Sequence, residues 1–170
     1  MIKIIFVDKN DNVIGAGFKM EAWEKGIAHR IVRIFLFNSK GELLITKRSK
    51  DLSSLPGRWD QSTAGHVDEG EDYLTAAKRE LEEEVGVADI DLKEIGKFFH
   101  IDKDEADKIK KRFSMLYTCV YDGEIKPSER EVSEIQWIEP KKLEAWMNER
   151  PDDFTEGFTE NFKNLQNLKK

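Results

Sequence analysis

The sequence is short of several things that would commit it to a class. It has one cysteine, Cys119, so no intrachain disulfide can form, and a reducing cytoplasm is the expected location. Cys119 lies in the apolar run 115–121, where a buried, inert thiol is expected. No apolar run approaches the ~20 residues needed to cross a bilayer, and the N-terminus lacks the pattern of a secretory signal. No basic block is present either: 28 basic residues face 34 acidic ones, for a formal charge of −6. That balance argues against a nucleic-acid polymer or an anionic membrane as partner. It leaves room for a small polyphosphate, with a metal bridging acid to acid. No repeat, low-complexity tract or Pro/Gly/Ser-rich linker divides the chain.

What is present reads as an ordinary globular domain. Apolar residues make up 39% and charged residues 36% of 170 positions, enough for one core over 1–170. Alternating apolar runs bounded by turn residues predict a hairpin within about 1–20. Further strands are expected at 30–38, 42–47, 92–101, 113–121 and 135–138. Leu55-Pro-Gly-Arg-Trp59 reads as a loop. The best helix spans 72–85, with Leu74, Ala77, Leu81 and Val85 forming its apolar stripe and Gly86 ending it. A C-terminal helical segment is expected over about 140–170, with helices at 141–148 and 153–168. Strands mixed with a few helices, without regular βαβ alternation, predict an α+β or a mixed α/β/α layered domain.

Glu80, Glu83 and Glu84 stand at i, i+3 and i+4 on the 72–85 helix, within a sector of about 100° beside the apolar stripe. Three neighbouring carboxylates repel one another. A hard divalent cation resolves that repulsion while keeping coordination sites for water and phosphate. Taken alone, Glu82-Glu-Glu84 reads as a solvated charge run. The wider spacing makes the difference. Gly65 is followed after five residues by Glu71, and after seven more by Arg79-Glu-Leu-Glu-Glu-Glu-Val-Gly-Val87.

This pattern resembles the signature of the Nudix hydrolase family at every fixed position. The resemblance implies an α/β/α sandwich around a mixed β-sheet with a loop-helix-loop metal site. It implies Mg²⁺ or Mn²⁺ held by Glu80 and Glu84, with Glu83 sharing ligation or acting through water and a carbonyl from Ala64 or Gly65 added. Catalytic roles then fall on Glu83 or Glu80 as general base, with Arg79 orienting a glutamate and, together with Glu71, holding the loop-helix-loop. The implied activity is hydrolysis of a diphosphate linkage, of nucleoside diphosphate-X type, by metal-activated water. Some family members take a base from a later loop, and Glu131 is the candidate here for an extra ligand or base. His66, Arg48 and Arg58 are candidates for binding substrate phosphates. Local backbone bonding explains His29 and His66 as well, and surface solvation explains the arginines. His100 and Trp59 are expected to be structural.

Segments 11–15, 28–30, 37–45, 56–59 and 64–66 also resemble the branch containing type I isopentenyl-diphosphate isomerases. His29 and His66 match two histidines of those enzymes. Their catalytic cysteine falls at Ala64, a third histidine at Ala22, and their glutamates near 111–114, where the chain has no acid. An isomerase-like enzyme is the alternative function, and a non-catalytic nucleotide-binding sensor a third. A homodimer is common in the family.

Overall fold

Turn chemistry sets the first hairpin. In a computed structural model describing residues 1–103 and 106–169, β1 (Ile4–Val7) pairs antiparallel with β2 (Val13–Gly17) across an Asp8–Asn12 turn. The Asp8 carboxylate accepts from the backbone N–H groups of Asn10 and Asn12. Asp11 takes a positive φ of 64°, a conformation that Asp and Asn tolerate better than most residues.

The longest apolar strand candidate becomes the centre of the sheet. β3 (Ala28–Phe37) pairs antiparallel with β1, with β4 (Leu43–Arg48) and with β6 (Thr63–His66), and parallel with β8 (Ile109–Val120). β7 (Lys93–Lys103) pairs antiparallel with β8 on its far side. β4 also carries the two-residue β5 (Trp59–Asp60) and β9 (Val132–Ile138). The sheet is therefore mixed. β8 starts four residues earlier than the expected 113, and β9 three earlier than 135. In both cases an apolar residue, Ile109 or Val132, followed by polar ones extends the apolar core strand.

Alternation along β3 builds two cores. Val32, Ile34 and Leu36 face α2 (Tyr73–Val85), where Ala76, Ala77, Leu81 and Val85 are fully buried. Phe35 and Phe37 face the opposite layer, α3 (Pro140–Glu149) and α4 (Glu156–Leu168), against Phe154, Phe158 and Phe162. Helices thus cover both sheet faces. α1 (Lys19–Lys25), which the sequence pattern did not reveal, contributes Ala22 to a small cluster with Ile4 and Phe6.

Local signals fix the ends of α2. The Asp72 carboxylate accepts from the Thr75 N–H, and Gly86, at φ 72°, returns its N–H to the Glu82 carbonyl. The expected stripe needs one correction: Leu74 is 41% exposed, and Ala76 takes its place in the core. Close helix–sheet packing favours the small side chain there. The expected helix at 153–168 is also split: a 3₁₀ turn at Pro151–Asp153 precedes α4, capped by the Thr155 hydroxyl accepting from the Phe158 N–H.

Candidate metal centre

β6 and α2 meet so closely that the strand tolerates no side chain at Gly65. A Cβ there would sit 2.1 Å from Glu80 Cδ and Oε1. The glycine is needed for this approach, which seats the Glu80 carboxylate on the strand backbone. One turn on, Glu84 is half-buried, with the Thr63 hydroxyl in reach of its carboxylate. Burial, then the charge of Glu80, pushes the Glu84 carboxyl well above its ordinary range, and Glu131 adds to the effect. Burial raises Glu80 as well, against the opposing pull of Arg79. Two half-buried carboxylates that both resist ionising are a site short of positive charge.

Arg79 organises the rest. Its Nε and Nη2 donate to the two oxygens of Glu71, each at 2.9 Å, and Nη1 donates to Glu80 Oε1 at 2.7 Å. Nη2 also donates to the His66 carbonyl at 3.0 Å and lies 3.3 Å from Asp68 Oδ2. One guanidinium therefore ties the loop before α2 to the strand and to a glutamate, which bidentate geometry allows and a lysine could not reproduce. Burial alone would raise Glu71, but its bonds to Arg79 and the Asp68 N–H hold it below the ordinary range.

The glutamates divide. Glu80 and Glu84 share the strand side of α2, whereas Glu83 is 59% exposed and 3.3 Å from Arg79 Nη1. Among the described residues, no three acidic, histidine or cysteine side chains converge to ligating distance. The helix brings together two of the three expected ligands. Glu131 is exposed but lies on the loop beside Glu84: its N–H and that of Ser128 bond within this loop and to the Glu84 carbonyl, the latter at 2.8 Å. Glu134 instead pairs with Lys47 at 3.3 Å.

The remaining candidates sit elsewhere. Arg48 donates twice to the Ser54 carbonyl and lies 3.4 Å from Asp60, so it holds the 49–58 loop. Arg58 donates to the Phe154 carbonyl at 3.4 Å. His66 follows Gly65 in the strand, so its ring points to the opposite sheet face, stacked on His29 at 5.4 Å. Trp59 packs at 8% exposure against Trp146, and His100 Nδ1 meets Glu160 at 2.8 Å. Cys119 is buried, and burial pushes its thiol up to about 12. No helix among the described residues is long and apolar enough to cross a membrane.

Periodicity shows neither β6 nor the buried Arg33 beside it on β3. β6 is Thr-Ala-Gly-His, four residues with little strand propensity, and only its pairing with β3 makes it a strand.

A mixed sheet between helical layers, with a glycine-seated glutamate pair beside an arginine clamp, defines a loop-helix-loop fold class. Residues 28–158 match the NUDIX domain model, and the chain belongs to the Nudix family. It is 36% identical over 138 residues to an uncharacterized Nudix hydrolase of Pseudomonas aeruginosa, covering 81% of this chain and 79% of the relative. It is also 32% identical over 162 residues to an isopentenyl-diphosphate Delta-isomerase of Serratia proteamaculans, covering 95% of this chain and 90% of the relative. The crystal structure of a Deinococcus radiodurans protein superposes with a TM-score of 0.72 at 27% identity, over 86% of this chain and 89% of that one.

Proposed function

We propose that the protein is a divalent-metal-dependent hydrolase that cleaves a diphosphate linkage in a small soluble substrate. The observation that carries this reading is the Gly65–Glu80–Glu84 arrangement. It holds two carboxylates where burial disfavours their charge, and a cation would relieve that penalty. The donor set suits Mg²⁺ or Mn²⁺: hard oxygens from Glu80 and Glu84, with a backbone carbonyl from Gly65 or Ala64. When bound there, such an ion would neutralise diphosphate charge and lower the pKa of a coordinated water.

The chain's own residues supply the rest. Arg79 fixes the rotamer of Glu80 through its 2.7 Å bond, so that ligand is positioned before metal arrives. Glu83 is the exposed carboxylate of the group, free of the strand and able to take a proton from water. Glu131, beside Glu84 on a loop, is the second candidate for that role.

The isomerase reading of some relatives is less well supported by the residues. Ala64 provides no thiol, Ala22 is a buried methyl, and the 111–114 segment puts Arg112 and Ser114 beside the histidines. The test is a hydrolysis screen of nucleoside diphosphate sugars, dinucleoside polyphosphates, coenzyme A and oxidised nucleotides, with isopentenyl diphosphate included. Metal-dependent phosphate products that vanish in Glu84→Gln support the proposal. Allylic isomer formation without hydrolysis of any compound overturns it.

A further inference from the structure

A cavity of about 270 Å³ lies apart from the glutamates, lined by Lys47, Gly57, Trp59, Trp146, Arg150 and Asp153. β4 supplies Lys47, and β5 with the turn before it supplies Trp59 and Gly57. The end of α3 and the 3₁₀ turn after it supply the rest. Lys47 continues the row of Leu43 and Ile45, so the cavity opens on the sheet face covered by α3 and α4. Glu80 and Glu84 belong to α2 on the other face. The volume falls just under the ~300–1,000 Å³ of ordinary ligand pockets, which leaves room for one ring system.

The aromatic wall is fixed in place. Trp146 makes edge-to-face contacts with Trp59 at 5.8 Å and 67°, and with Phe154 at 4.8 Å and 72°. Its indole N–H donates to Asp153 Oδ2 at 2.8 Å. These contacts lock the ring while Trp146 stays half-buried, which is the arrangement of a stacking platform. The polar groups around it keep spare capacity. Asp153 Oδ1 takes only a long 3.4 Å bond, from Arg150 Nη2, among the described residues. Lys47 directs one N–H at Glu134, 3.3 Å away, and its Nζ stands 5.7 Å from the Trp59 centroid, at the outer limit of a cation–π contact. Arg150 is exposed at the rim. A Cβ added at Gly57 would meet nothing within 4 Å, so the cavity is open on that side. Two cations and one carboxylate line it, an excess of positive charge that favours an anionic ligand.

We propose that this cavity binds a purine nucleotide. The base stacks on Trp146, an N–H on its edge donates to Asp153 Oδ1, and Lys47 donates to a ring nitrogen or exocyclic oxygen. Arg150 takes the phosphate at the rim. A sugar also packs on indoles, but a neutral one makes no use of the excess positive charge. Inorganic phosphate alone leaves the aromatic wall uncovered. The site lies across the sheet from the glutamates and does not depend on the hydrolase reading.

The test is a titration of the full chain in chelator, with AMP and GMP as probes against their nucleosides and ribose 5-phosphate. The indole N–H signals are followed by ¹H–¹⁵N NMR, those of Trp59 and Trp146 being identified by their loss in the Phe variants. At least one nucleotide is expected to bind in the millimolar range or tighter, moving the Trp59 and Trp146 signals while Trp137, on the opposite face, stays still. Trp146→Ala should weaken that binding about tenfold or more through lost stacking. Arg150→Ala, at an exposed position that spares the fold, should weaken the nucleotide roughly tenfold and leave its nucleoside unchanged. If Trp146→Ala does not fold, Arg150→Ala and the wild-type signals decide the matter. No binding of either nucleotide, equal binding of ribose 5-phosphate, shifts that bypass Trp59 and Trp146, or an unchanged affinity in Arg150→Ala would each overturn the site. Because no turnover is measured, these outcomes stand apart from the fate of the hydrolase proposal.

Discussion

Adding one methyl group at Gly65 tests how tightly the candidate centre is built. The Cβ of Gly65→Ala would meet Glu80 Cδ and Oε1 at 2.1 Å and Cγ at 2.6 Å. Ordinary contact between such atoms is at about 3.5–4.0 Å, so the carboxylate must retreat by roughly 1.5 Å. The clash is with the end of a flexible side chain and not with backbone, so β6 and α2 can keep their places. The Glu80 carboxylate cannot, and its 2.7 Å bond to Arg79 is lost or bent with it. Mg²⁺ demands near-ideal octahedral geometry, and a misplacement of ~1 Å in a reacting array costs about 10²-fold in rate. The expected result is a kcat lowered about a hundredfold, with a melting temperature in chelator within a few degrees of wild type. The assay is phosphate release from whichever diphosphate compound the screen identifies, across a Mg²⁺ titration. A folded Gly65→Ala protein with kcat within a few-fold of wild type would refute the argument that Glu80 is seated on the strand for a purpose.

Three further outcomes follow from the same geometry. Arg79→Lys keeps a charge but cannot bond Glu71, Glu80 and the His66 carbonyl together, so kcat should fall roughly 10–100-fold, more than KM changes; an unchanged kcat would show the clamp to be dispensable. Glu84→Gln removes a carboxylate that burial and Glu80 hold as a reluctant anion, so in chelator at neutral pH it should melt above wild type. Saturating Mg²⁺, worth about 2.7 kcal/mol at a hundred times Kd, should then raise only the wild-type melting temperature; a matching rise in the variant would count against Glu84 as ligand. Asp11, 8% exposed, accepts from Arg30 Nε and Lys97 Nζ at 2.7 Å and from the Tyr73 hydroxyl at 2.9 Å. Burial opposes its charge, but these bonds win and lower its pKa, so its contribution is full above the unfolded value near ~3.9 and is lost as pH falls through the folded one. Asp11→Asn tolerates the same backbone and should cost roughly 1.5–3 kcal/mol at pH 7, an effect that chemical denaturation should find shrinking toward pH 3.

How far the sequence carried the argument depended on whether a feature was local. α2 was legible because its cap, its helical period and its terminal glycine all lie within fifteen residues and agree. The signature residues followed, since spacing along one helix fixes their relative directions to within about a turn. That tolerance is why Glu83 could be grouped with Glu80 and Glu84, although it projects outward toward Arg79. Leu74 entered the expected stripe because periodicity counts apolar residues, whereas the packing distance to β3 selects Ala76. β5 and β6 were hidden for a different reason: two and four residues carry no period, and their strand partners lie 12 or more positions away. Asp11 lies in the turn of the first hairpin, and nothing nearby in the chain announces Arg30, Tyr73 and Lys97 around it. Arg48 and Arg58 looked available for phosphate because local sequence does not show the carbonyls of Ser54 and Phe154 that occupy them.

The most direct measurement is an anomalous difference map from a crystal of the protein grown or soaked with Mn²⁺. A single strong peak between the carboxylates of Glu80 and Glu84, beside the backbone of Ala64 and Gly65, is the expected result. A map with no peak there, or with manganese lodged instead among the histidines on the opposite sheet face, would contradict the account.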